Sequence, residues 1–477
     1  MKNVNLIYGV KDRPGVWKTL VFAFQQVLAI LAATIAVPSI IGNAMGFEMS
    51  QSAALFGAGA GTIIYLLFTK FKSPVFLGSS FAFIGSMLAA FGGAASVSVG
   101  YIGLILGAIF AGLVYVIISI IVKFAGTDWI NKVMPAAVIG PTVAIIGLSL
   151  SGNAIGDLFN GSVMKEIFTP TIVDGAIEEV SSFVPTASPY VALVCGLVTL
   201  AVVIVCSVYG KKMLKMIPFI IGILAGYLTA TIFTLIGTFA NVPELMVINF
   251  GAFANMQWLP NFAFISAFKG FSEVGGFGSY LATIAVAYIP VAFVVFAEHL
   301  ADHKNISSII GSDLTKDPGL HRTLLGDGIG SMVGAFFGGC PNTTYGESIG
   351  CVAISGNASI VTILTTAIIC IVAAFFAPFV TFLSTIPSCV MGGVCISLYG
   401  FIAVSGLKMI QKVDLNKNYN LFTVSVILIA GVGGMTLSFG SVTITSIACA
   451  LILGILTNLI GKKAAKKDEA IEKEKAE

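Results

Sequence analysis

The segment PNTTYGE, residues 341–347, interrupts a long apolar run with polar and helix-breaking residues. An earlier segment repeats part of this pattern. GSSF at 78–81 matches NTTY at 342–345 as one small or polar residue, two hydroxyl residues and one aromatic residue. A second pair of segments is also related, because PAAVIG at 135–140 is similar to PSCVMG at 387–392. Glycines alone would indicate only close helix packing, but two matched interruptions indicate an internal repeat.

The composition places these segments in a membrane protein. Of the 477 residues, 57% are hydrophobic and 10% are charged, whereas a soluble domain has about 25% charged residues. No charged residue lies between Lys72 and Lys123 or between Glu347 and Lys408. These runs exceed the roughly 20 residues that a helix needs to cross a bilayer. The sequence therefore predicts an all-α polytopic membrane protein with no large soluble domain.

Apolar runs and their polar breaks predict fourteen transmembrane spans. They cover residues 19–41, 52–69, 74–92, 99–122, 133–151, 190–209, 217–237, 280–302, 323–339, 341–355, 360–378, 387–406, 420–437 and 442–460. The matched segments lie in spans 3 and 10 and in spans 5 and 12, so each partner follows seven spans later. Because seven is odd, the second half crosses the membrane in the opposite sense. This 7+7 inverted repeat, with paired interrupted spans, is typical of secondary transporters.

The positive charges predict the orientation. Lysine and arginine gather in alternate breaks between spans, for example at Lys70 and Lys72 and again at Lys408 and Lys412. The positive-inside rule then places both termini in the cytoplasm. No removable signal peptide is expected, because no small-residue cleavage site precedes the first span.

Acidic residues inside the predicted spans are rare and therefore informative. Each ionised side chain at the bilayer centre costs about 2.5–3.5 kcal/mol, and the spans offer no basic partner for Glu298 or Glu347. Asp302 lies one helical turn after Glu298 on the same face. Asp327 is expected to cap the start of span 9. His299 and His303 are expected to be hydrogen-bonded without a role in the site.

Two carboxyl groups without cations suit a neutral substrate rich in N–H donors, with a proton as the coupling ion. Removal from water favours the neutral form of a carboxyl group. The interrupted spans supply free backbone N–H groups at helix starts. Acceptors and donors together describe a site for a lactam-type nucleobase such as uracil or xanthine. Neither a metal nor another cofactor is expected, and the net charge of +3 does not indicate nucleic acid binding.

Three segments carry a resemblance to a known family: AEH at 297–299, DPGLHR at 317–322 and PNTTYGE at 341–347. GSSFAF at 78–83, MGGV at 391–394 and LYG at 398–400 support it. The chain resembles the nucleobase–ascorbate transporters nearly end to end, and most of all their bacterial uracil-transporting members. Purine-transporting members carry Gln-Asn-x-Gly where this chain has ESIG at 347–350. The glutamate favours the uracil type.

The resemblance implies a fold with two domains. The core domain would comprise 1–126 and 262–380, the gate domain 127–240 and 381–461, and a cytoplasmic tail 462–477. Spans 3 and 10 would each be a short β-strand followed by a helix. The protein would be a homodimer through its gate domains in the cytoplasmic membrane of the cell, with the core moving in an elevator-like way.

The resemblance also implies roles for individual residues. Glu298 and Glu347 would bind the pyrimidine edge, while Phe81 and Gly346 would donate backbone N–H groups to its carbonyls. The remaining substrate-binding residues would be Ala33, Ser80, Tyr345 and Tyr399. The residues implied in proton symport would be Glu298, Asp302, Glu347 and Gln26.

Two positions depart from the uracil-type pattern and leave alternatives open. Gln26 stands where relatives usually have a histidine, and Asp302 stands where uracil-type members have a histidine and purine-type members an aspartate. The proton carrier is therefore open, and so is a xanthine or uric acid symporter. An anion exchanger of the same fold is an alternative of another class, which the two buried glutamates disfavour. An enzyme is not expected, because the three histidines form no catalytic cluster in the sequence.

Overall fold

A computed structural model of the chain describes residues 6–126, 128–173, 176–211, 213–273, 277–439 and 442–476. Thr127, at the predicted start of the gate domain, and Glu477, at the end of the predicted tail, lie outside these ranges. The helices are α1 Val16–Met45, α2 Gln51–Phe68, α3 Ile84–Gly92, α4 Val97–Ala125, α5 Asp128–Val133, α6 Ala136–Ser149, α7 Ser151–Asp157, α8 Pro189–Tyr209, α9 Met213–Met216, α10 Pro218–Ala240, α11 Ala263–Gly270, α12 Phe277–Ile310, α13 Leu320–Gly338, α14 Gly346–Ser355, α15 Ile360–Ala373, α16 Ala377–Ser384, α17 Ser388–Ile410, α18 Asn418–Val432 and α19 Ser446–Ala476. The strands are β1 Leu77–Ser79, β2 Met164–Val173, β3 Ala176–Pro185, β4 Asn342–Thr344, β5 Leu437–Phe439 and β6 Val442–Ile444.

The predicted membrane class is confirmed by the length and composition of these helices. Within the described ranges, nine helices are long and apolar enough to cross a bilayer. The number is ten if α15 and α16, which are bent by 84° at their junction, form one span. The four other predicted spans coincide with α3, α13, α14 and α18, which are shorter or more polar. The full count of fourteen crossings stays a prediction.

Spans 3 and 10 each contain a short β-strand followed by a helix, as the resemblance implied, and the two strands pair with each other. β1 pairs antiparallel with β4 in the register Leu77↔Thr344, Gly78↔Thr343 and Ser79↔Asn342. Each strand leads into a helix, a 3₁₀ turn Phe81–Phe83 before α3 on one side and α14 on the other. Because the strands are antiparallel, the two helices leave the pair in opposite directions.

Glycines allow the helices around this strand pair to approach closely. A Cβ atom on Gly57 of α2 would lie 2.6 Å from the carbonyl oxygen of Gly334 on α13, and one on Gly61 would lie 2.7 Å from that of Gly330. The side-chain amide of Asn342 donates a 3.1 Å hydrogen bond to the carbonyl oxygen of Gly57. The small residues thus let α2 and α13 pack closely, as is common between membrane helices. The hydrogen bond from Asn342 holds β4 against α2.

The chain divides into two compact units. One comprises Met1–Leu150, Leu259–Phe375 and Tyr399–Glu477, and contains β1, β4, α12 and α14. The other comprises Ser151–Trp258 and Phe376–Leu398. Within this second unit α8 meets the start of α17, since a Cβ on Gly393 would lie 2.3 Å from the carbonyl oxygen of Gly196. The predicted boundaries of core and gate domains stay a prediction.

The segment 152–189, which lies between the predicted spans 133–151 and 190–209, contains an antiparallel hairpin. β2 and β3 pair over their full lengths, from Met164↔Pro185 to Val173↔Ala176. The signal was present in the sequence, because Asp-Gly at 174–175 separates the two strand segments. This dipeptide between alternating residues is among the strongest short-range indications of a hairpin.

We expect Gly57→Ala to lower the stability of the protein by about 1–3 kcal/mol, the usual cost of overpacking, because of the close approach to Gly334. The measurement is the thermal unfolding midpoint of purified protein in detergent. Gly85→Ala on α3 is the matched control, since its Cβ would meet no atom within 4 Å. A Gly57→Ala protein as stable as this control would contradict the observed packing of α2 on α13.

Candidate functional site

Two helix N-termini open beside the paired strands without side-chain caps. Neither Ser80, before the 3₁₀ turn, nor Tyr345, before α14, makes a side-chain capping hydrogen bond. The first N–H groups of a helix have no partner within the helix, and the macrodipole makes this end partly positive. Phe81 and Gly346, predicted to donate backbone N–H groups, are the first residues of these two helices. Both starts can therefore receive hydrogen-bond acceptors.

The structure brings together the three predicted carboxyl groups. Glu298 and Asp302 lie one turn apart on α12, Glu347 is the second residue of α14, and all three are half-buried. Glu298 is close enough to both other carboxyl groups to interact with them electrostatically. The hydroxyl of Thr344 donates a 2.7 Å hydrogen bond to Oδ2 of Asp302. This bond ties α12 directly to the end of β4.

Open space and aromatic rings complete the surroundings. Gly346 is exposed, and a Cβ added there would meet no atom within 4 Å. The ring of Phe81 meets that of Tyr399 edge-on, with centroids 5.7 Å apart and an interplanar angle of 80°. Ala33 is buried on α1. The site thus combines hydrogen-bond acceptors, backbone donors and aromatic rings.

Tyr345 and Ser80 face the strand pair more closely than their predicted role required. The ring of Tyr345 lies against Gly78, where a Cβ would be 2.3 Å from it. Its hydroxyl donates a 2.9 Å hydrogen bond to the carbonyl oxygen of Ser79. Ser80 is buried, and its hydroxyl has no partner in the described part of the chain. Tyr345 thereby holds β1 in place, and contact of either residue with a base stays a prediction.

Gln26, predicted from its position on span 1, is hydrogen-bonded to Ser348, the residue that follows Glu347. Its amide donates hydrogen bonds to the hydroxyl of Ser348, at 2.5 Å, and to the carbonyl oxygen of Ser348, at 3.2 Å. The same hydroxyl accepts a 3.2 Å hydrogen bond from the backbone N–H of Phe76. Ser348 therefore links α1 and the start of β1 to the helix that carries Glu347.

The role expected for Asp327 was wrong. The side chain does not cap a helix end, because α13 begins at Leu320 and Asp327 is two turns further on, with 1% of its surface exposed. Its Oδ2 lies 2.7 Å from Nδ1 of His299. Nε2 of His299 lies 3.0 Å from the hydroxyl of Thr323. Sequence spacing gave no signal for this pair, because its members lie on different helices.

His303 is hydrogen-bonded, as expected. Its Nδ1 lies 2.8 Å from the carbonyl oxygen of His299, which can only accept, so this nitrogen carries a proton. Its Nε2 lies 2.7 Å from the hydroxyl of Tyr65, which in turn lies 2.6 Å from that of Ser73. This network joins α12 to α2 and the segment after it.

Comparison with known proteins agrees with this architecture. Residues 17–439 match the sequence profile of a permease family, the xanthine/uracil permeases. The chain belongs to this family. The resemblance seen in the sequence is thereby confirmed, and so is the expectation of a transporter instead of an enzyme.

The permease has relatives along nearly its whole length. It is 36% identical to the uracil permease of Bacillus subtilis (strain 168) over 465 residues, 96% of this chain and 95% of that protein. It is 34% identical to the uracil permease of Escherichia coli (strain K12) over 456 residues, 95% of this chain and 94% of that protein. Among solved structures, the transmembrane domain of the cyanobacterial bicarbonate transporter BicA is similar at a TM-score of 0.58 and 15% identity. This match covers 93% of the permease and 97% of that domain, and it shows the fold alone.

Proposed function

We propose that this permease takes up uracil together with protons. The observation that supports this most is the meeting of Glu298, Asp302 and Glu347 beside two uncapped helix starts. The relatives named uracil permeases, at 36% and 34% identity over nearly the whole chain, support the choice of base.

Uracil fits the chemistry of this site. Its ring carries alternating N–H and C=O groups, so carboxylate oxygens of Glu298 and Glu347 would accept from the N–H groups. The backbone N–H groups of Phe81 and Gly346 would donate to the carbonyl oxygens. Phe81 and Tyr399 would pack on the ring, with Ala33, Ser80 and Tyr345 completing the contacts.

We propose that the chain is an inverted repeat of fourteen spans and that its transport mechanism depends on this repeat. The antiparallel pairing of β1 with β4 supports this, because a two-fold axis in the membrane plane relates two halves in opposite directions. In this proposal a core domain moves in an elevator-like way against a gate domain through which two copies dimerise. Both termini lie in the cytoplasm, and the protein resides in the cytoplasmic membrane.

Proton coupling is assigned to the same carboxyl groups. Three carboxyl groups this close cannot all be ionised at low cost, so at least one proton is expected to bind among them. Gln26 would act through Ser348, which follows Glu347. Asp302 accepts a hydrogen bond from Thr344, so it would link the protonation of the carboxyl groups to the position of β4.

Two alternatives remain as outcomes of the tests. Asp302, the residue of purine-type members at this position, favours xanthine or uric acid as a second candidate substrate. The likeness to a bicarbonate transporter is one of fold alone. An anion exchanger is disfavoured, because the carboxyl groups beside the two helix starts would repel an anion.

Uracil uptake into proteoliposomes should rise with an acidic exterior and collapse on addition of a protonophore. Competition by unlabelled uracil, thymine, xanthine and uric acid measures the choice of base. Uptake that depends on a sodium gradient and is unaffected by the protonophore would contradict the proposed proton coupling. Stronger competition by xanthine than by uracil would favour the purine alternative.

Glu298→Gln and Glu347→Gln should each lose most uracil uptake while reaching the membrane in normal amounts. The amide keeps the shape but replaces one acceptor oxygen by an NH2 donor and cannot carry the proton, and an unpaired buried group costs about 1–3 kcal/mol. Glu244→Gln, at an exposed position, is the control. Near-normal uptake by either site variant would remove that residue from the proposed site.

Asp302→Asn should shift the pH optimum of uptake, or uncouple binding from accumulation, while equilibrium uracil binding stays within a few-fold. Neutralising one of three neighbouring carboxyl groups changes the protonation of the other two, whereas the base itself is held elsewhere. Asp302→His, which introduces the uracil-type residue, should keep activity. Loss of uracil binding by Asp302→Asn with an unchanged pH profile would instead make Asp302 a substrate ligand.

A further inference from the structure

The outer face of α4 is apolar and uncovered by the described part of the chain. Six of its large exposed side chains recur at helical spacing and occupy roughly a third of the helix circumference. They are Ile109, Leu113, Ile117, Ile120, Ile121 and Phe124. We call them the apolar face of α4. On a membrane-spanning helix such a face meets acyl chains.

Basic side chains gather where this face ends. Lys123, in the last turn of α4, is exposed and lies over the ring of Phe124, 5.5 Å from its centroid. Ser119, one turn earlier, donates a 2.7 Å hydrogen bond to the carbonyl oxygen of His321. Lys123 therefore lies between this buried contact and the apolar face. The positive charges of Lys123 and Arg322 both act on the imidazole of His321. We call Lys123, His321 and Arg322 the basic cluster.

Arg322 is held in place but keeps most of its donors. Nη1 donates a 3.3 Å hydrogen bond to the carbonyl oxygen of Phe68, the last residue of α2. The guanidinium group has five N–H donors, so one such bond leaves a fork that matches a phosphate group. The side chain is half-buried, which holds this fork in a defined place.

Nearby acidic side chains do not neutralise the cluster. Within the described ranges, Asp317 pairs with Lys72 and Asp313 pairs with Lys316, and no carboxylate pairs with Lys123 or Arg322. Like charges held together at the edge of a low-dielectric region are stabilised by a counter-anion. Basic pockets at the ends of membrane helices bind phosphate-containing lipid headgroups.

We propose that the basic cluster binds the headgroup phosphate of an anionic phospholipid, whose acyl chains lie along the apolar face of α4. Arg322 offers the fork, Lys123 a second positive charge, and His321 a further N–H donor. The lipid would join the ends of α2, α4 and α13, which meet at this point through Arg322 and Ser119. This site is separate from the carboxyl groups of the proposed transport site.

The test uses full-length protein, delipidated in detergent. Its unfolding midpoint is measured with phosphatidylglycerol, with phosphatidylcholine of the same acyl chains, and with inorganic phosphate, while native mass spectrometry counts retained lipids. We expect stabilisation and retention by phosphatidylglycerol alone. Lys123→Gln should weaken this binding about fivefold, as expected for one removed charge, and Lys123→Gln/Arg322→Gln should abolish the preference.

Controls separate a lipid site from general charge effects. Lys408→Gln/Lys412→Gln, at exposed positions, should keep the preference for phosphatidylglycerol. Among the residues that the structure describes, Lys123 has no hydrogen-bond partner, so its variant reports on the proposal even if Arg322→Gln fails to fold. Equal effects of both lipids on the unaltered protein, or an unchanged preference in Lys123→Gln, would overturn the site. Equal stabilisation by inorganic phosphate would overturn the assignment to a lipid.

Discussion

The antiparallel pairing of β1 with β4 is the constraint on which the rest of the structure depends. Inside a bilayer, backbone that is not helical must find its hydrogen bonds within the protein. β1 and β4 pair through three residues each. At the two ends of this pair, the N–H of Ser80 donates to the carbonyl oxygen of Pro341, and the N–H of Tyr345 donates to that of Phe76. The backbone groups of each interrupted segment thus find hydrogen-bond partners on the other. Neither segment could keep an extended backbone at this depth alone, so the two interruptions must occur as a pair.

This pairing also organises the candidate site, because β1, α1 and α12 are each hydrogen-bonded to β4 or α14. The hydroxyl of Thr344 holds Asp302 and therefore α12, while the amide of Gln26 holds Ser348 and therefore joins α1 to α14. The hydroxyl of Tyr345 returns to β1. A shift of β4 would consequently move the carboxyl groups and the helix start at Gly346 together. The proposed coupling of a base to a proton would depend on such a shared support.

The sequence predicted the parts that depend on composition and missed those that depend on tertiary contacts. Apolar run length is enough to locate helices such as α4 and α10. Three-residue strands are too short for alternation to reveal, so β1 and β4 were predicted only through the resemblance. Asp327 was misplaced because its helix starts at Leu320 and not at residue 323. Its partner His299 lies on α12, and no sequence pattern specifies which face of one helix meets which face of another.

The carboxyl groups in the membrane-spanning segments differ in whether a basic side chain lies beside them. This difference distinguishes a carboxyl group with a structural role, Asp327, from the two with a proposed role in transport, Glu298 and Glu347. Asp327 is fully buried, and it has a histidine 2.7 Å away. Glu298 and Glu347 are half-buried, and within the described ranges no basic side chain pairs with them. Keeping a carboxyl group in an apolar region is costly unless a cation, a proton or a hydrogen-bonding ligand compensates it. The protein supplies that compensation for Asp327 itself. For Glu298 and Glu347 the described part of the chain supplies no such cation, and we propose that a transported base and a coupling proton provide the compensation.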